Sequence, residues 1–131
     1  VLSTIAIIPS APVLVPELAG AAEDEVAELR AAMIAAVASL PPRWVVIGAG
    51  SEDVVVGPES VGTFAGFGVD LVVRLSPQAT GEPGELPLCA LIAGWVRAQA
   101  QPAAFAEVRV YARHRDAADA LALGRRLRSE I

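Results

Sequence analysis

Apolar and polar positions alternate along the chain in two periods, and the switches between them mark the elements. Residues 4–8, TIAII, are apolar on both faces and predict a strand in the middle of a parallel sheet. The proline-rich residues 9–16 then predict a structured loop. Over residues 21–40, Val26, Leu29, Met33, Val37 and Leu40 recur at threes and fours and predict one apolar helix stripe. Glu23, Asp24 and Glu25 suit the positive end of that helix, and Pro41-Pro42 ends it. Strands are expected at 44–47, at 54–56, at 69–75 and at 108–111. Residues 60–68 form a glycine-punctuated loop with apolar anchors, and 76–85 a polar linker. A helix is expected over 87–98, burying Leu88, Leu91, Ile92, Trp95 and Val96. Another begins near Asp116 or Ala117, with Ala120, Leu123, Leu127 and Ile131 on one face and arginines near its end.

Strand and helix in alternation predict an α/β fold: three layers, with a mostly parallel sheet and helices on both faces. The 131 residues suit a single domain. The chain stops inside a helical pattern, and so short a parallel sheet leaves open edges. The expectation is therefore the N-terminal part of a larger domain, incomplete at its C-terminus. Either self-association or a missing C-terminal portion should cover the sheet edge.

Composition narrows the function classes. Hydrophobic residues make up 54% of the chain, enough for a substantial core. A formal charge of −5 argues against binding nucleic acid or an anionic membrane. The one cysteine, Cys89, lies in the apolar run LPLCALIAGW, excludes an internal disulfide and fits the cytoplasm. All 10 basic residues are arginine, which excludes lysine Schiff-base chemistry but leaves bidentate capture of carboxylate or phosphate.

The remaining candidates are few. The one histidine, His114, stands between Arg113 and Arg115, a poor setting for a metal ligand. No serine lies in a nucleophile elbow. Gly48-Ala49-Gly50 starts like a dinucleotide fingerprint, but Ser51-Glu52-Asp53 breaks the spacing and adds carboxylates that repel pyrophosphate. No cofactor and no metal are expected. The residues placed at strand exits, where α/β sheets bind ligands, are Ser10, Pro12, Glu17, Gly50, Ser51, Glu52 and Arg74. Among them Arg74 is the candidate for gripping an anion, and Glu17, Glu52 and Asp53 offer carboxylates for acid/base work.

The run Ile8-Pro9-Ser10-Ala11-Pro12-Val13-Leu14-Val15-Pro16-Glu17, the strand WVVIGAG from Trp44 and the loop GTFAGFGVD from Gly62 resemble one family. That family is the LigB-like superfamily of class III extradiol ring-cleavage dioxygenases, and within it an actinobacterial branch lacking the metal histidines. The resemblance implies a larger α/β protein with a cleft at strand ends. Catalytic members open catechol-type rings with dioxygen on non-haem iron held by two histidines and a carboxylate. The resemblance aligns the first metal histidine with Ser10 and the second with the region of Gly50. A hydroxyl and a side-chain-free residue do not replace two imidazoles. The expectation is a catalytically degenerate dioxygenase-like protein, not an active extradiol dioxygenase, binding a small organic molecule in the cleft. Two alternatives stand beside it: a metal-free enzyme using the same cleft, and a structural or interaction protein.

Overall fold

The computed structural model describes residues 2–131. Its helices are α1 (Pro16–Ala19), α2 (Glu23–Ala38), α3 (Leu88–Ala100) and α4 (Ala117–Glu130). Its strands are β1 (Arg43–Gly50), β2 (Val54–Val56), β3 (Val61–Thr63), β4 (Val72–Arg74) and β5 (Phe105–Ala112).

The fold is α/β, but the sheet is mixed and not mostly parallel. β5 lies between β1, which it pairs in parallel from Arg43↔Phe105 to Gly50↔Ala112, and β2, which it pairs antiparallel. β3 and β4 form a separate antiparallel pair. Leu75, just past β4, accepts a hydrogen bond from Ala106 N at 2.8 Å and ties this pair to β5. Strands β1 and β5 run parallel, with helix α3 between them in the chain, whereas the short connection between β3 and β4 leaves that pair antiparallel.

The expected strand at 4–8 does not form. Residues 2–10 belong to no helix or strand, and Ile5 and Ile7 are 69% and 92% exposed. Apolar character at these positions reflects no ladder within this chain. Residues 61–63, expected as loop, are instead β3, paired with β4.

Helix α3 organises the interior. Every residue from Ala90 to Arg97 is buried, as suits a helix enclosed on all sides. It packs on β1, β5 and the β3–β4 pair, with α2 behind it. The even-numbered β5 residues Ala106, Val108 and Val110 face it, 0–2% exposed. The odd-numbered face carries Arg109, which reaches Glu130 of α4 at 3.2 Å, so α4 touches the opposite side of the sheet. Asp116 caps α4 by accepting a hydrogen bond from Asp119 N at 2.8 Å. The α2 stripe is narrower than its sequence pattern: Met33 and Val37 are buried, whereas Leu29 is 50% exposed.

Close approach of α3 to β1 depends on Gly48. A Cβ there would stand 2.5 Å from the Sγ and 2.6 Å from the Cβ of Cys89. Cys89 Cβ is anchored to the helix backbone and has no rotamer that moves it aside. Gly48→Ala should therefore push α3 off the sheet and destabilise the fold by about 1–3 kcal/mol, an overpacking effect read as a lower denaturation midpoint.

Two side chains satisfy backbone groups that the elements leave open. Gln101 Nε2 donates to the carbonyls of Val37, Ala38 and Leu40, where α2 ends. Arg97, 5% exposed, donates Nε to Arg74 O at 2.9 Å and Nη1 to the carbonyls of Pro102 and Ala104. It thus joins the end of β4 to the turn before β5.

Candidate functional site

The strand-exit candidates do not share one cleft. They fall into two groups, at opposite ends of α3, and two of them line neither.

The first cleft lies at the carboxyl ends of the parallel strands β1 and β5. Gly50, Ser51 and Glu52 line it, with Leu88 at the start of α3 and Arg113 after β5; its volume is about 260 Å³. Gly50 is buried, and a Cβ on it would meet Val110 Cγ1 at 2.7 Å, so the sheet itself leaves no room for a side chain there. Asp53, next in sequence, accepts hydrogen bonds from Ala112 N at 2.7 Å and from Arg115 Nη2 at 2.8 Å. It clamps the β1 exit to the β5 exit and is held away from ligand duty. Arg115 in turn stacks over the Tyr111 ring, 5.3 Å from its centroid.

The second cleft, about 390 Å³, lies between β4 and the C-terminal half of α3. Glu17, Leu71, Arg74, Trp95, Arg97 and Gln99 line it. Proline at the first position starts α1 and carries Glu17 to the rim, and Arg74 is the last residue of β4. Trp95 is buried at 5% exposure and supplies the apolar floor. Leu88 and the run from Trp95 to Gln99 are seven to eleven residues apart on α3. At 1.5 Å rise per residue the two clefts are separated by roughly 10 to 16 Å along the helix.

Ser10 and Pro12 line neither cleft. Ser10 is exposed in the irregular stretch that replaces the expected first strand, and Pro12 opens a single 3-10 turn whose Leu14 is buried. Ser10 and Gly50 therefore do not present paired donors to a common cavity. Glu17 and Glu52 line different clefts, so these two carboxylates form no acid/base couple.

Fit to iron fails on the donor set. Among the described residues no group of three or more His, Cys, Asp or Glu side chains is placed to hold a metal ion. His114 is exposed on the turn after β5 and lines neither cleft. Cys89 is half-buried, and burial raises its thiol pKa above the ordinary value, which disfavours the reactive thiolate.

Electrostatics single out the second cleft. Neither Arg74 nor Arg97 has an ion pair among the described residues. Arg74 spends Nε on Ala79 O at 3.1 Å. Arg97 commits Nε and Nη1 to carbonyls, leaving Nη2 with no protein hydrogen bond among the described residues. Burial first, and the nearby charge of Arg74 second, lower the Arg97 pKa from its ordinary value. Two cations thus stand within electrostatic reach in a chain whose net charge is −5. The sequence pattern marks Arg74 but passes over Arg97, which looks like a helix-end charge beside Trp95 and Val96. Its one sequence signal is a cation on an otherwise apolar helix face.

No helix among the described residues is long and apolar enough to cross a membrane. Comparison of the chain with protein-family models, curated proteins and solved structures returned no match.

Proposed function

We propose that this chain is a binding module for a small organic anion, built on a dioxygenase-like framework that has lost its iron chemistry. The observation that carries the reading is the pair Arg74 and Arg97, neither ion-paired, lining one cleft beside the buried face of Trp95. A carboxylate entering there relieves the repulsion between the two guanidiniums and finds bidentate donors on Arg74. Leu71 and Trp95 favour an apolar body on that carboxylate, such as an aromatic or branched aliphatic acid. Glu17 on the rim disfavours a second negative charge on the ligand.

Support for lost catalysis comes from the side chains at the positions aligned with metal histidines: an exposed hydroxyl at Ser10 and glycine at Gly50. In this reading the protein works in the cytoplasm, where its lone thiol stays reduced.

Calorimetric titration with benzoate, and with benzamide as the neutral analogue, tests the reading. Benzoate should bind and benzamide should not. Arg74→Gln should weaken benzoate at least about tenfold, the loss of one charged hydrogen bond of ~1.5–3 kcal/mol, while the variant still unfolds cooperatively, its midpoint lowered by the lost bond to Ala79 O. Equal affinity for the two probes, or for the variant, would overturn anion binding. Ring-opened product from catechol, iron(II) and dioxygen would overturn the loss of chemistry.

A further inference from the structure

An exposed apolar stretch near the start of the described residues and the open edge of β1 have similar lengths and complementary needs. Residues 2–10 make no backbone hydrogen bond to another part of the chain among the described residues. Within them Ile5 and Ile7 project almost wholly into solvent, at 69% and 92% exposure. The sequence TIAII has the β-branched character of a strand and no ladder to join.

The missing ladder exists on β1. Phe105 N donates to Pro42 O at 2.9 Å and Arg113 N donates to Gly50 O at 3.0 Å, so even-numbered carbonyls of this stretch face β5. In a parallel strand the N–H and C=O of one residue point to the same side. Arg43, Val45, Ile47 and Ala49 therefore turn both groups outward, and nothing pairs them, because β1 ends the order β1-β5-β2. The flanking side chain Ile47 is 50% exposed. The edge carries no proline and no bulge, and a cation only at its first residue, Arg43, so it lacks the usual devices that discourage strand addition.

We infer that the apolar arm of residues 2–8 adds as a strand to the outer edge of β1 in a second copy of this chain, reciprocally. Every copy carries one arm and one edge, and neither is satisfied within its own fold. The root of the arm is fixed: Ile8 and Ala11 pack on the core, and Leu14 and Val15 are 1% and 0% exposed. Reciprocal exchange uses both elements in both chains and closes as a two-fold dimer. It buries Ile5, Ile7 and Ile47 together and satisfies the outward groups of the β1 edge. Neither cleft includes an arm residue or Ile47, so the dimer stands independently of anion binding.

Light scattering of the 131-residue chain over a range of concentrations tests the inference, together with amide exchange. The expected result is a mass of two chains, with amides of residues 4–8 and of Val45 and Ile47 protected. Ile5→Lys with Ile7→Lys should halve the mass while leaving the helical signal of the far-ultraviolet spectrum and the benzoate titration unchanged, because both side chains are exposed in the single chain. Ile47→Pro removes one outward N–H and should also halve the mass; Ile47→Lys retains that N–H and checks the edge if the proline variant unfolds. A monomer at every concentration overturns the inference, even with the arm amides protected, since that pattern means docking on its own edge. A dimer that survives the arm variants, or an open-ended assembly, overturns it equally.

Discussion

Phe64→Ala should destabilise the fold by about 3–5 kcal/mol, the usual loss for a fully buried phenylalanine, and lower the denaturant midpoint without changing the slope. Phe64 is 0% exposed, at the turn that joins β3 to a 3-10 turn. Its N–H donates to Leu71 O at 2.9 Å, and its ring meets Phe67 at a centroid distance of 6.0 Å. The turn then reverses through Gly68, whose φ of 91° lies in the left-handed region. Removing the ring takes the anchor from under the β3–β4 pair, which is only three residues long in each strand. Chemical denaturation followed by tryptophan fluorescence measures the effect through Trp44 and Trp95. An effect under about 1 kcal/mol would mean that the pair holds its place without this anchor.

Arg97→Leu should cost about 3 kcal/mol, because one guanidinium serves three carbonyls and a charged hydrogen bond contributes roughly 1.5–3 kcal/mol. The carbonyls of Arg74, Pro102 and Ala104 would lose their donor, and that of Ala104 is buried. Arg97→Lys should recover only part of the loss, since an ammonium cannot reproduce the planar fork. Equilibrium unfolding of both variants checks the order parent, lysine, leucine. A leucine variant as stable as the parent would mean that apolar packing replaces the staple without penalty, as it does at some buried ion pairs. Because Arg97 also lines the second cleft, its variants belong to stability tests, and Arg74→Gln remains the probe of binding.

The three long helices α2, α3 and α4 were legible because each shows its period locally, whereas the four-residue α1 is too short to show one. Residues 21–40 were expected as helix and α2 spans Glu23–Ala38; 87–98 were expected and α3 spans Leu88–Ala100. Strands β1 and β5 were found but drawn short, at 44–47 against Arg43–Gly50 and 108–111 against Phe105–Ala112. Their outer residues, such as Arg43 and Glu107, are polar or half-exposed and blur the apolar run. Residues 4–8 misled because β-branched apolar sequence has the same appearance in a paired strand and in an unpaired arm. The candidate site was half legible. Arg74 and Glu17 do share a cleft, while Gly50, Ser51 and Glu52 line another and Ser10 and Pro12 line neither.

Sequence alone determined the three long helices, the presence of β1, β2, β4 and β5, the stop at Pro41-Pro42, the core character of α3 and the scarcity of imidazole and thiol donors, since each depends on residue identity or short-range spacing. Tertiary structure decided strand direction, the split into two clefts and the partners of Arg97, Gln101 and Asp53. Those outcomes join groups far apart in the chain: Gln101 reaches the end of α2 across 61 to 64 residues, and Asp53 reaches Ala112 across 59. A backbone carbonyl left open by one element is satisfied by whichever side chain folding brings beside it, and no local period records that meeting.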